Sequence, residues 1–169
     1  VIVSETEHSA VLKTALLRCS NSRLLGVDSQ GLVDLHILDK LLAEEDDATL
    51  VCVMAANNET GTLQPIKEVV SIARSHGALV LCDAVQAAGK IDVDFAGWDV
   101  DFMALSAHKI GGPQGVGALL CREGLELSSL LTGGGQERGI RAGTENVSGI
   151  VGFGVAASIV RGHRIKEGN

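Results

Sequence analysis

Two apolar runs that each end on polar groups constrain this chain more than any other feature. Leu79-Val80-Leu81-Cys82 stops at Asp83, and Phe102-Met103-Ala104-Leu105 stops at Ser106, His108 and Lys109, with glycines behind them. Short continuous apolar runs of this kind read as strands buried on both faces. Strands that deliver polar groups at their carboxyl-terminal ends describe the mouth of an open α/β sheet, where ligands bind.

The rest of the chain alternates in the same way. Val1 to Val3 reads as a strand, followed by a helix up to about Cys19 and a weak strand over Leu24 to Val27. Asp34 is placed to cap a helix, with Val33 and Leu38 as a hydrophobic staple and Leu35, Leu38, Leu41 and Leu42 as its buried stripe. Thr49 to Met54 reads as a buried strand that opens into the polar loop Asn57-Asn58-Glu59-Thr60-Gly61. Pro65 suits the first helical position. Ile66, Val69, Val70 and Ala73 then form an apolar face, and Gly77 stops the helix. Val116 to Cys121 reads as a further strand, and a helix rich in small residues runs from Val147 to Val160. This alternation predicts an α/β fold with a mostly parallel sheet covered on both faces.

Composition excludes several function classes. The chain has 169 residues, enough for one domain with a core, and a formal net charge of −7 with no basic stripe, which argues against nucleic acid. No apolar run approaches the ~20 residues of a membrane span. The four cysteines are scattered without a C-x-x-C pair, so neither a zinc site nor a disulfide framework is indicated. Cys52, Cys82 and Cys121 lie in apolar runs and read as buried thiols of a reducing, cytoplasmic compartment.

The candidate functional residues cluster at strand ends. A lysine following a buried strand, such as Lys109, is either a solvated surface residue or a desolvated amine able to form a Schiff base. Asp83 reads either as a turn acid or as an acid that pairs with a protonated pyridine nitrogen, the partner that pyridoxal phosphate (PLP) chemistry needs. Gln86 is placed to bond a ring substituent or to cap its own turn. Ser106 and His108 suit an anionic phosphate, or His108 fills a local hydrogen bond. His8 offers an imidazole face for stacking on a flat ring, and Asn58 sits at the same sheet edge if the strands are parallel. Gly111, Gly112, Gly115 and Gly117 are expected to let backbone approach a ligand. They match neither a Walker A loop nor a dinucleotide fingerprint. Gln136, Arg138, Arg141 and Thr144 make either a surface loop or an anion clamp.

The segments TEHSAVL, NNETG, CDAVQAAGK, SAHKIGGPQGVGAL and GGGQERGIRAGTENV occur in that order. Together they resemble the NifS/IscS-like cysteine desulfurases, class V PLP-dependent enzymes of fold type I. The resemblance covers nearly the whole chain. It implies Lys109 as the Schiff-base lysine, Asp83 on the pyridine nitrogen and Gln86 on the ring's phenolic oxygen. It further implies His8 stacked on the ring, Ser106 and His108 on the phosphate, and Asn58 near the substrate amine. Thr144 would reach the phosphate of a neighbouring subunit's PLP, which implies a homodimer. The catalytic residues so implied are Lys109 and His8, with no metal.

The family's reaction takes sulfur from L-cysteine as a persulfide, releases L-alanine, and passes sulfur to acceptor or Fe–S scaffold proteins. The family's phosphate loop is expected before Val1. Its persulfide cysteine and carboxylate-binding arginine are expected beyond Asn169. Residues 1–169 are therefore expected to be a partial PLP-binding large domain, truncated at both ends and inactive alone. Selenocysteine lyase, another class V PLP enzyme and a non-catalytic truncated chain are the alternatives.

Overall fold

The computed structural model describes residues 1–45 and 47–167, with side chains described up to residue 161. Its elements follow the expected alternation: β1 (Ile2–Ser4), α1 (Ser9–Arg18), β2 (Arg23–Leu25), α2 (Leu35–Ala43), β3 (Leu50–Met54), α3 (Ile66–Ser75), β4 (Leu79–Asp83), β5 (Phe102–Ser106), β6 (Gly117–Cys121) and α4 (Val147–Glu167). They form one six-stranded sheet in the order β2-β1-β3-β4-β5-β6. The first five strands are parallel and β6 is antiparallel to β5.

Local chemistry accounts for most element ends. Asp34 caps α2 by accepting from the His36 and Ile37 amides at 2.9 and 3.0 Å. Val33 and Leu38, the expected staple, are both buried, whereas Leu35 and Leu41 are only half-buried. Ile66, Val69, Val70 and Ala73 of α3 are all buried as the spacing predicts. Pro65 stands one position earlier than expected, as the N-cap itself. The second strand is shorter than expected and ends at Leu25, before the glycine at 26.

The core lies mainly between the sheet and α2 and α3, around Leu38, Val51, Val53, Val69, Val80 and Met103. A smaller cluster of Val3, Ala15 and Cys52 packs α1 against the sheet. The chain leaves β1 towards β2 on one side and β3 on the other, so β1 and β3 flank the topological switch point.

Two expectations are corrected here. Cys121 is half-buried, not buried, because β6 is the edge strand and Leu119 beside it is exposed. The sheet is accordingly not covered along its whole width. The glycines after Lys109 also shape the path of the chain. Gly111 takes a left-handed φ of 82° to end a 3-10 turn, Ala107–Ile110. A Cβ at Gly117 would lie 2.7 Å from the Leu105 carbonyl oxygen. These glycines serve the tight return into β6.

Candidate active site at the sheet mouth

Parallel pairing in register brings four strand ends to one edge. Met54 of β3 is aligned with Asp83 of β4, and Asp83 with Ala104 of β5. His8 follows β1, Asn58 follows β3, Asp83 and Gln86 end and follow β4, and Ser106, His108 and Lys109 end and follow β5. Seven of the eight residues expected from the sequence thus share the carboxyl-terminal edge of the sheet. Thr144 lies apart, in the exposed segment before α4, and no hydrogen bond joins it to the other seven.

Asp83 is 8% exposed. Its Oδ1 accepts from the Val85 amide at 2.9 Å, so the turn-acid reading holds. Oδ2 has no hydrogen bond to the described residues and stays available as an acceptor. The turn uses one oxygen of the carboxylate and leaves the other without a partner among the described residues.

Lys109 sits on the 3-10 turn directly after β5 and is exposed. Of the two readings left open for its side chain, the exposed one is met, because the 3-10 turn carries it beyond the end of β5. Its ammonium makes no hydrogen bond or ion pair with the described residues. Ser106 Oγ and His108 Nδ1 are 2.8 Å apart, which leaves a hydroxyl and an imidazole side by side. Gln86 Oε1 accepts from Lys90 Nζ at 3.0 Å, so its amide nitrogen remains a free donor. Lys90 also bonds the Gln86 carbonyl at 2.8 Å.

His8 is the N-cap of α1, with Nδ1 accepting from the Ala10 amide at 3.2 Å. That contact fixes the ring at the mouth of the sheet. Asn58 is exposed in its turn, and its neighbour Asn57 ties the loop together. Asn57 Oδ1 accepts from the Glu59 and Thr60 amides, and Nδ2 donates to the Thr6 carbonyl at 3.0 Å. Asn57 thereby joins the ends of β1 and β3 across the switch point. Sequence reasoning missed it, the only signal being its place in a pair of asparagines.

It also missed Glu7. This acid is buried beside the site, and its pKa is pushed up to about 8 by burial first and by the charge of Asp83 second. Its position just before His8 is the only sequence signal.

Two spaces adjoin these residues. A cavity of about 320 Å³ is lined by Asn57, Leu63, Gln86 and Lys90 among others. A larger apolar groove of about 730 Å³ runs between β5, β6 and α4, lined by Met103, Leu105, Leu120 and Phe153. Lys109 lines neither of these spaces. Among the described residues, no group of three or more His, Cys, Asp or Glu side chains is arranged to hold a metal ion.

The profile described as Aminotransferase class-V matches residues 1–167. A cysteine desulfurase of Gluconacetobacter diazotrophicus is 42% identical over all of this chain, which covers 42% of that protein. The solved structure of a NifS-like protein from Rickettsia africae superposes with a TM-score of 0.91 at 38% identity, over 94% of this chain and 44% of that one. A structure of SspA in complex with cysteine superposes with a TM-score of 0.83 at 34% identity, over 93% of this chain and 46% of that one. The chain therefore spans less than half the length of the relatives it matches.

Proposed function

This chain belongs to the class-V aminotransferase family, and from that premise we propose that it is the PLP-binding part of a cysteine desulfurase. The observation that carries the proposal is the pairing of β4 with β5. It sets a buried carboxylate with an unused oxygen, Asp83, beside the strand end that presents the free amine of Lys109.

The family is PLP-dependent, and the donors present fit that cofactor. Asp83 Oδ2 is an unoccupied acceptor for a protonated ring nitrogen. Lys109 Nζ is an unpaired amine for the covalent attachment. Ser106 and His108 together suit a phosphate. Gln86 keeps a free amide donor for a ring oxygen, and His8 holds an imidazole at the same edge. When bound, PLP supplies an electron sink for bonds at the α-carbon of an amino acid. The protein's share is to hold the ring's charge at Asp83, to anchor it at Lys109 and to orient the substrate amine near Asn58.

L-cysteine is the proposed substrate, with L-alanine released and sulfur passed to acceptor or Fe–S scaffold proteins. Cys52 and Cys82 do not serve as the sulfur-carrying thiol. Burial pushes the Cys52 thiol up to about 12 and the Cys82 thiol higher than its ordinary value, so both stay unreactive. Residues 1–169 are on this reading part of the large domain. A homodimer belongs to the same reading, supported by the exposed stripe Val147, Val151, Val155 and Ile159 along α4 and by the separation of Thr144 from the other seven residues. Four free cysteines support a reducing, cytoplasmic setting.

The test is to incubate the protein with PLP, reduce with borohydride and map the pyridoxyl group. Label on Lys109 that disappears in Lys109→Ala is the expected result. Label scattered over surface lysines, or none, would overturn the proposal. A change in the absorbance of bound PLP on adding L-cysteine checks the substrate.

A further inference from the structure

Glu7 is a buried acid for which the proposed reaction has no use. It lies three residues beyond β1 and is 6% exposed. Neither carboxyl oxygen has a hydrogen-bond partner among the described residues. An ionised carboxylate in that setting is costly, so burial alone favours the protonated form.

The titratable groups around it come from the neighbouring strands. Asp83 ends β4, Cys52 lies in β3 and Cys82 in β4. His8, next in sequence, turns its Nδ1 to the Ala10 amide. The backbone amides of Met54 and His8 favour ionisation of Glu7, but burial and the charge of Asp83 outweigh them. Both thiols are held protonated, by burial above all. Asp83 is aligned with Met54 across the β3–β4 pair, and its charge acts on Glu7 from there.

We infer that Glu7 is a positioning residue of the sheet mouth, forming with Asp83 a two-carboxyl site that holds one proton and one negative charge and so accepts one protonated heteroaromatic base. That the base is the PLP ring rests on the proposed function; the carboxyl pair itself does not. A cation docked on Asp83 cancels the charge that opposes ionisation of Glu7. Glu7 then releases its proton to solvent more readily, only its O–H bond breaking. By linkage, ionised Glu7 strengthens the hold on the docked cation to the same extent. A merely structural acid would show no such coupling.

The experiment is a carboxyl-carbon NMR titration of the protein labelled at glutamate, for wild type and Asp83→Asn, without and with PLP. Asparagine keeps the oxygen that accepts from the Val85 amide, so the local turn survives the substitution. One glutamate, identified by its loss in Glu7→Gln, is expected to titrate near 8. Its midpoint should fall by about one pH unit in Asp83→Asn and should also fall when PLP binds wild type.

A Glu7 midpoint in the ordinary carboxylate range, or one unmoved by Asp83→Asn, overturns the pair. PLP attached at Lys109 with no movement of Glu7 overturns the shared site. The cofactor-free titration keeps the two claims separate. A coupled pair without label on Lys109 sinks the PLP reading and keeps the pair. Label on Lys109 with an ordinary Glu7 does the reverse.

Discussion

Asp101, at the amino-terminal end of β5, and Glu7, at the opposite edge of the sheet, are both removed from water, at 1% and 6% exposure. Asp101 is met on every side. Arg74 of α3 donates to both its oxygens, at 2.8 and 3.0 Å, and the Val80 amide donates at 2.7 Å. Arg122, just after β6, adds an ion pair at 3.3 Å. Among the described residues no well-formed hydrogen bond reaches either Glu7 oxygen, and only the backbone amides of Met54 and His8 offset its burial. The two edges therefore differ in kind. The amino-terminal edge uses a buried acid to lock α3, β4, β5 and the end of β6 together. The carboxyl-terminal edge leaves its acids short of partners, and unsatisfied groups are the ones that can still bind something.

The same chemical change at the two sites should have opposite consequences. Asp101→Asn turns an acceptor towards two guanidinium groups into an amide that donates. Breaking a fully buried pair costs ~3–5 kcal/mol, and partial solvent access of Arg74 and Arg122 argues for the lower end. Denaturant unfolding at neutral pH should show that loss; an unchanged midpoint would break the comparison.

Glu7→Gln should act the other way, and only in part of the pH range. The folded-state pKa of Glu7 is raised, from the ordinary 4.5 to about 8. Below 4.5 both folded and unfolded chains hold the proton and the acid carries no penalty. As pH rises towards 8 the unfolded chain loses the proton while the folded chain keeps it, so wild type is progressively destabilised. Above 8 the difference levels off. The stability of Glu7→Gln relative to wild type should therefore climb between pH 4.5 and 8, by on the order of 2 kcal/mol once relaxation of the site is allowed for. Unfolding curves at three pH values check it, and a flat difference would remove the contrast between the edges.

A smaller effect sets the scale of ordinary local structure. Asp34→Ala removes two capping hydrogen bonds from α2, away from both edges. A loss of about 1 kcal/mol is expected. A loss as large as that at Asp101 would mean that the edge network is no more than another local contact.

The legibility of the fold followed the range of the signals. Asp34 and Gly77 mark helix ends through groups within a few residues, and the four apolar positions of α3 lie on one face by period alone. The place of Asp83, Ser106 and Lys109 at the carboxyl-terminal edge was legible because each ends or follows an apolar run. Whether Lys109 is exposed was left open, since it depends on the 3-10 turn and the glycine at 111. Half-burial of Cys121 depends on β6 having a strand on one side alone.

The sequence by itself determined the alternation of strands and helices, the α/β class and the polar groups at the ends of β4 and β5, because those are encoded in local periodicity and in residues that stop it. Tertiary structure decided that β1 lies between β2 and β3, which of the acids are buried, and which of those find partners. The donors to Asp101 come from residues 74, 80 and 122, and the charge that acts on Glu7 comes from residue 83. In sequence Asp101 and Glu7 are simply two acids near strand ends. Only the packing of distant segments supplies arginines to one and withholds them from the other.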